Sequence, residues 1–157
     1  MALSNNVTRM LEAKKIAYIP HEFPTEKFSA KEVAEIIGLP ADQVFKTIVV
    51  LRKERGKPIL AIVPAISEVD LKALASATGE KKLAAAKHAE AEKLTGLQTG
   101  GISPLALINK GFEPWLDKRA VEWPRICLSG GQRGLNLDIA PEDLIQLTGA
   151  RLALIGT

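Results

Sequence analysis

Hydrophobic and polar positions along this chain follow two alternating periods. Val7, Met10 and Leu11 recur at helical spacing behind Ser4, which predicts a first helix capped by that serine. Ser29 and Glu32 form a capping box, each side chain satisfying the other's free backbone N–H. The box opens a helix whose apolar face is Val33, Ile36 and Ile37 and whose stop is Gly38. Ser67 and Asp70 repeat the device ahead of Leu71, Leu74 and Ala75, with Gly79 at the end. Pro141, followed by Glu142 and Asp143 where the helix dipole favours acids, opens a last helix that Gly149 closes. Between these lie segments rich in β-branched residues. Val44–Arg52 and Pro58–Pro64 read as two strands, and the polar stretch 53–57 with Gly56 suits a hairpin loop between them. Arg125–Ser129, Leu135–Ile139 and Arg151–Ile155 read as further strands. Hairpins interleaved with helices predict an α/β or α+β fold around a mixed sheet.

Composition narrows the class. A chain of 157 residues is of one-domain size, so residues 1–157 are expected to fold as a unit. With 46% hydrophobic and 25% charged residues it is not a disordered chain. The longest apolar runs, Thr47–Leu51 and Ile59–Ile66, are too short to span a bilayer, and the first fifteen residues lack a signal peptide's apolar stretch. A single cysteine rules out an internal disulfide framework. The expectation is a soluble cytoplasmic protein with no membrane partner. The net charge of +3 permits an anionic partner such as a nucleic acid without requiring one.

Several chemistries are absent. There is no HExxH and no pair of cysteines, so neither a metal nor a cofactor is expected. Gly96 and Gly101 have the spacing of a Walker loop, but Ile102 stands where the phosphate-binding lysine belongs. No GxGxxG occurs, and Cys127-Leu128-Ser129-Gly130-Gly131 lacks the first glycine of a nucleophile elbow. His88, in the polar run 87–93, reads as a solvated helix residue. His21 follows Pro20 in a strand or loop, where it either lines a site or plays a structural or exposed part.

Three features remain. Strand alternation puts Lys46 on the face of Val44, Ile48 and Val50. A lysine there either covers apolar surface with its stem while the amine reaches water, or stands as a fixed cation at the mouth of a cleft. The segment 95–104 contains Gly100-Gly101-Ile102-Ser103-Pro104, where adjacent glycines let backbone amides approach a carbonyl or phosphate and the proline stiffens the exit. The third, Ser129-Gly130-Gly131-Gln132-Arg133-Gly134, joins two strands as a hairpin turn or presents Ser129 to a small ligand. Cys127 shares the face of Ser129 and reads as a buried structural thiol, since no histidine is placed in sequence to activate it.

In their order and separation, Phe45-Lys46-Thr47, Gly100-Gly101-Ile102-Ser103-Pro104 and Ser129-Gly130-Gly131-Gln132-Arg133-Gly134-Leu135 resemble the YbaK family. These are free-standing relatives of the editing domain of bacterial prolyl-tRNA synthetases. The resemblance runs from about residue 5 to about residue 155. It implies a mixed, largely antiparallel central sheet with flanking helices, and hydrolysis of mischarged aminoacyl-tRNA without metal or cofactor. The similar branch is the Cys-tRNA(Pro) deacylases. Its partners would be the 3′ acceptor end of aminoacyl-tRNA and, as a candidate, prolyl-tRNA synthetase. By the same resemblance Lys46 is the essential lysine, holding the terminal phosphate and sugar. Gly101 lies where backbone amides meet the aminoacyl carbonyl, in a loop that runs from Gly100 through Ile102 and Ser103 to Pro104. Thr47 and Ser129 match pocket residues, and Phe28, His21 and Asn136 are further candidates. The chain departs from the cysteine-specific branch at Asn136, where that branch often has Asp, and around Phe28 and Ser29. These departures bear on amino-acid choice rather than on reaction class. The substrate's own thiol would attack its carbonyl in that branch. The alternatives are a deacylase for Ala-tRNA(Pro) or another small amino acid, and a non-catalytic tRNA- or synthetase-binding module of the same fold.

Overall fold

The computed structural model describes residues 3–53 and 56–157. The chain runs α1 (Asn6–Ala13), β1 (Ile19–Glu22), α2 (Ala30–Ile37), β2 (Phe45–Arg52), β3 (Ile59–Pro64), α3 (Leu71–Thr78), β4 (Leu83–Ala85), α4 (His88–Thr95), a 3-10 turn at Pro104–Leu107, β5 (Glu113–Asp117), a second 3-10 turn at Lys118–Glu122, β6 (Ile126–Gln132), β7 (Leu135–Ile139), α5 (Pro141–Thr148) and β8 (Arg151–Ala153). The strands divide between two sheets. One is five-stranded, in the order β4-β2-β3-β5-β8, and the other three-stranded, in the order β1-β7-β6. The β3–β5 and β5–β8 pairs are parallel and the rest antiparallel. This is the mixed, largely antiparallel α/β architecture that the resemblance implied. A parallel bridge between Val44 and Cys127 ties the sheets together.

Strand β3 is buried at every residue because the five-stranded sheet is covered on both faces. Ile62 joins a core with Phe45, Leu116, Leu128 and Leu137. On the other side Ile59, Ala61 and Val63 pack with Val50, Leu74 and Trp115. No helix among the described residues is long and apolar enough to cross a membrane.

Several local expectations change. Asn5, not Ser4, caps α1: its side chain accepts the Thr8 N–H while the Thr8 side chain accepts the Asn5 N–H, a closed box that Ser4 is one residue too early to make. Asp70 alone caps α3, its Oδ1 accepting the Ala73 N–H at 3.0 Å. Ser67 instead donates its hydroxyl to the Thr157 carbonyl, which fastens the C-terminus. In α2 the Ser29–Glu32 box is present, but the buried face is Val33 and Ala34, with Ala30 and Ile37 half covered. Ile36 falls one residue outside that stripe and is exposed. Strand β6 continues three residues beyond Ser129, because a bulge between Ser129 and Gln132 absorbs the two glycines and moves the turn to Gly134. Strand β8 stops at Ala153 where Ile155 and Gly156 turn in to bond Asp117. Of the expected hairpin loop, Glu54 and Arg55 lie outside the described residues.

Candidate active site

The two glycine-rich segments, some thirty residues apart in sequence, are packed against each other. A Cβ on Gly101 would lie 2.9 Å from the Gln132 Cα, so only glycine lets the 95–104 loop rest on the β6–β7 turn. Arg133 fixes the same junction, its Nε donating to the Thr99 carbonyl at 2.7 Å. Asn5 holds the turn from the other side through Nδ2, which donates to the Gly130 carbonyl and to Gln132 Oε1, each at 2.9 Å. From the opposite wall of the loop, Glu92 accepts the Thr99 N–H at 2.7 Å. The Thr99 backbone hydrogen bond to that carboxylate holds it below the usual glutamate range.

This junction closes one end of a cavity of about 620 Å³. Strand β2 forms its floor, α2 one side, and the start of α4 with the glycine loop the other. Lys46, Thr47, Gly100, Ile102, Ser129, Asn136 and Phe28 all line it. These sites come from five separate parts of the chain. The Lys46 side chain is 21% exposed, and its Nζ lies 3.7 Å from Glu68 Oε1, a carboxylate that is itself 87% exposed. The ammonium is therefore positioned by the strand and only loosely paired. Sequence reasoning did not single out Glu68, Thr99, Lys27 or Lys31, which also line the cavity. The signal for the two lysines was their flanking of Phe28. His88, read as a solvated helix residue, is exposed but reaches the cavity wall from the start of α4.

The remaining expected residues sit elsewhere. The Gly101 N–H donates to the Gln98 carbonyl at 2.7 Å, so it is engaged within the loop. Among the described residues the amides of Gly100 and Ile102, which flank it, have no protein acceptor; the Gln98 and Ser103 amides have none either, but those residues do not line the cavity. Ser103 is fully buried and its Oγ accepts the Leu105 N–H at 3.1 Å, capping the 3-10 turn that Pro104 begins. Ser103 and Pro104 thus shape the loop from behind. His21 lies outside the cavity, with Nε2 2.8 Å from Asp138 Oδ2. Cys127 is buried, and that burial pushes its thiol pKa up, which leaves it protonated at neutral pH. Asn136 stands between this thiol and the cavity, its Nδ2 donating to Cys127 Sγ at 3.5 Å. A larger groove of about 1030 Å³ between α1, α5 and the Pro104–Leu107 turn is lined by Gly131 and Gln132 of the third motif but by none of the candidate site residues.

The cleft thus offers a loosely paired lysine and loop amides without protein acceptors, donors suited to an anionic or carbonyl oxygen, while the Cys127 thiol is buried and protonated. The signature of the aminoacyl-tRNA editing domain matches residues 25–147, and the chain belongs to that family. It is 36% identical over 154 residues, 97% of this chain and 93% of the relative, to an Enterococcus faecalis protein provisionally named Cys-tRNA(Pro)/Cys-tRNA(Cys) deacylase EbsC. A proline–tRNA ligase of Limosilactobacillus fermentum is 33% identical over 79 residues, 48% of this chain and 14% of the ligase. Among solved structures, a protein described as a candidate trans-editing enzyme for prolyl-tRNA synthetase superposes with a TM-score of 0.80 at 26% identity, covering 99% of both chains.

Proposed function

We propose that residues 1–157 act as one cytoplasmic aminoacyl-tRNA deacylase domain, and that its preferred substrate is Cys-tRNA(Pro). Family membership and the similarity to EbsC support the reaction class. The observation that carries the assignment of the site is the pairing of one loosely held cation, Lys46, with the free Gly100 and Ile102 amides across the same cavity. Lys46 binds the phosphate or ribose of the terminal nucleotide, and Lys27 and Lys31 at the mouth add attraction for the approaching acceptor end. The loop amides donate to the ester carbonyl oxygen as it gains negative charge.

The ester is already activated, and the cysteinyl sulfur is tethered next to the scissile carbon. Sulfur attack forms a C–S bond and breaks the C–O bond to ribose. The thiol proton passes to the ribose oxygen, and the thiolactone released with free tRNA then hydrolyses in water. Serine offers an oxygen of similar size but much lower nucleophilicity without a base. Alanine offers no nucleophile, although a pocket that admits cysteine discriminates against it by only about 1–3 kcal/mol through size. Partnership with prolyl-tRNA synthetase is supported by the likeness to a synthetase segment and to a protein described as its candidate trans-editing enzyme.

The test is deacylation of Cys-, Ser- and Ala-charged tRNA(Pro) side by side. Cysteine should be removed at least about three-hundredfold faster than alanine, beyond the roughly 200-fold upper end of what size alone secures. Equal rates on cysteine and alanine would replace the thiol-assisted route with a water-mediated one on small amino acids. That outcome would fit the neutral Asn136 on the cavity wall. No hydrolysis of any of the three would leave the binding-module reading.

A further inference from the structure

The register of the three-stranded sheet assembles three metal-ligating side chains outside the cavity. Cys127 on β6 stands opposite Asp138 on β7, and His21 on β1 stands opposite Asn136, two residues along β7. Asp138 and Asn136 share a face by the period of the strand, so His21, Cys127 and Asp138 project from three adjacent strands on one side. Their ligand atoms all lie within 4.8 Å of one another. Zinc bonds of about 2.3 Å to sulfur and about 2.0 Å to nitrogen and oxygen require ligand atoms roughly 3.5 Å apart, so small side-chain adjustments would close this set around an ion.

Three further details fit a cation. Asp138 Oδ1 is buried with no hydrogen-bond partner beyond the weak donor of the neighbouring Cys127 thiol, and Asp138 is only 8% exposed, so a strong acceptor is poorly satisfied in the interior. The Asn136 carboxamide points an N–H at the sulfur, as groups around metal-bound thiolates do. Ala34, Val44 and Ala65 pack against Cys127 and keep its side of the cluster dry, while the His21 side chain, 23% exposed, leaves a path for an ion from outside.

We propose that His21, Cys127 and Asp138 form a site for one divalent cation of the zinc class, distinct from the deacylation cavity. On binding, the Cys127 thiol gives its proton to solvent as the metal–sulfur bond forms. The His21 ring proton moves from Nε2 to Nδ1 through solvent, and the Nε2–H···Asp138 hydrogen bond is exchanged for a metal–nitrogen and a metal–oxygen bond. Thiolate and carboxylate together balance the two positive charges, and water completes a tetrahedron. Because Asn136 touches both the sulfur and the cavity, an occupied site fixes the orientation of a cavity-wall amide.

The test is titration of the full chain with Co²⁺ alone, followed by electronic absorption, then with Zn²⁺ as competitor. One equivalent of cobalt should give a sulfur-to-cobalt charge-transfer band together with intense tetrahedral ligand-field bands, and zinc should bleach both. Cys127→Ala should lose the charge-transfer band. His21→Gln alters a partly exposed ring and so keeps the test clear of core disruption. It should weaken cobalt binding about tenfold or more and abolish any rise in melting temperature with Zn²⁺. Absence of the charge-transfer band in the wild-type chain, or unchanged affinity in His21→Gln, would overturn the site. These readouts follow metal binding and melting temperature, not turnover, so failure of the site leaves the deacylase assignment standing.

Discussion

Lys46 and Asp117 are both charged residues on the five-stranded sheet, and they are held in opposite ways. Asp117, at the end of β5, is fully buried. Its Oδ1 accepts from the Arg119 backbone N–H and from Arg119 Nε, both at 2.9 Å. Its Oδ2 accepts from the Arg119 guanidinium at 3.0 Å, from the Gly156 N–H at 2.8 Å and from the Ile155 N–H at 3.2 Å. Burial alone would raise its pKa, but the Arg119 and Gly156 donors outweigh that and hold it below the usual aspartate range. Lys46 has one partner, Glu68, at 3.7 Å and largely in water. A buried charge with every lone pair satisfied by its own chain has nothing left to offer a ligand, and its work is to pin the C-terminus. A charge fixed by its strand but loosely paired, on a cavity wall, retains its capacity to bind. The contrast separates scaffold from site without reference to any relative.

The sharpest break of this comparison is Lys46→Ala. It should lower the rate of deacylation by about a hundredfold to a thousandfold, the usual loss when a charge-stabilising donor is removed from a reaction site. Its melting temperature should stay near that of the wild type, because the cation makes no saturated internal contact. Asp117→Asn should do the reverse. It leaves Arg119 and two backbone amides facing a weaker acceptor, and a loss of about 3 kcal/mol in a denaturant melt is expected, with turnover at low temperature retained.

The sign of the pH dependence follows from the lowered pKa of Asp117. The stability it contributes is complete above the ordinary aspartate value of about 3.9 and is lost as the pH falls below that toward the folded value. The stability gap between wild type and Asp117→Asn should therefore narrow as denaturant melts are repeated at progressively lower pH through that window. The smallest effect belongs to Glu68→Gln. An exposed partner at 3.7 Å contributes little, so deacylation should change by less than about threefold, measured as kcat/KM at low salt.

Much of this contrast was legible in the sequence on one side only. Lys46 stood out because a cation interrupts an apolar alternation, and the glycine motifs stood out because backbone must approach something closely there. Local signals also gave the Ser29–Glu32 box, strand β7 at its observed limits and the last helix from Pro141 to Gly149. Strand β5 was not legible, because Glu113-Pro114-Trp115-Leu116-Asp117 carries a proline and ends on acids, and its parallel pairing with β3 and β8 is entirely non-local. The saturation of Asp117 was invisible for the same reason: its donors come from Arg119 and from residues some forty positions away. Within the site, the resemblance put Gly101 where the amides of the Gly100–Pro104 loop meet the carbonyl; its own amide donates to Gln98, and the close approach the glycine permits is to Gln132. The sequence marked where a side chain is forbidden but not what occupies the space.

If the aminoacyl end of tRNA binds the underpaired region around Lys46, amide chemical shifts will register it there. The uniformly ¹⁵N-labelled protein would be titrated with a non-hydrolysable amide analogue of 3′-cysteinyl-adenosine. Saturable shifts are expected at Lys46, Thr47, Gly100, Ile102 and Ser129, with Asp117, Arg119 and Gly156 unmoved. Shifts confined to the groove between α1 and α5, or centred on the Asp117 clasp, would contradict that binding site.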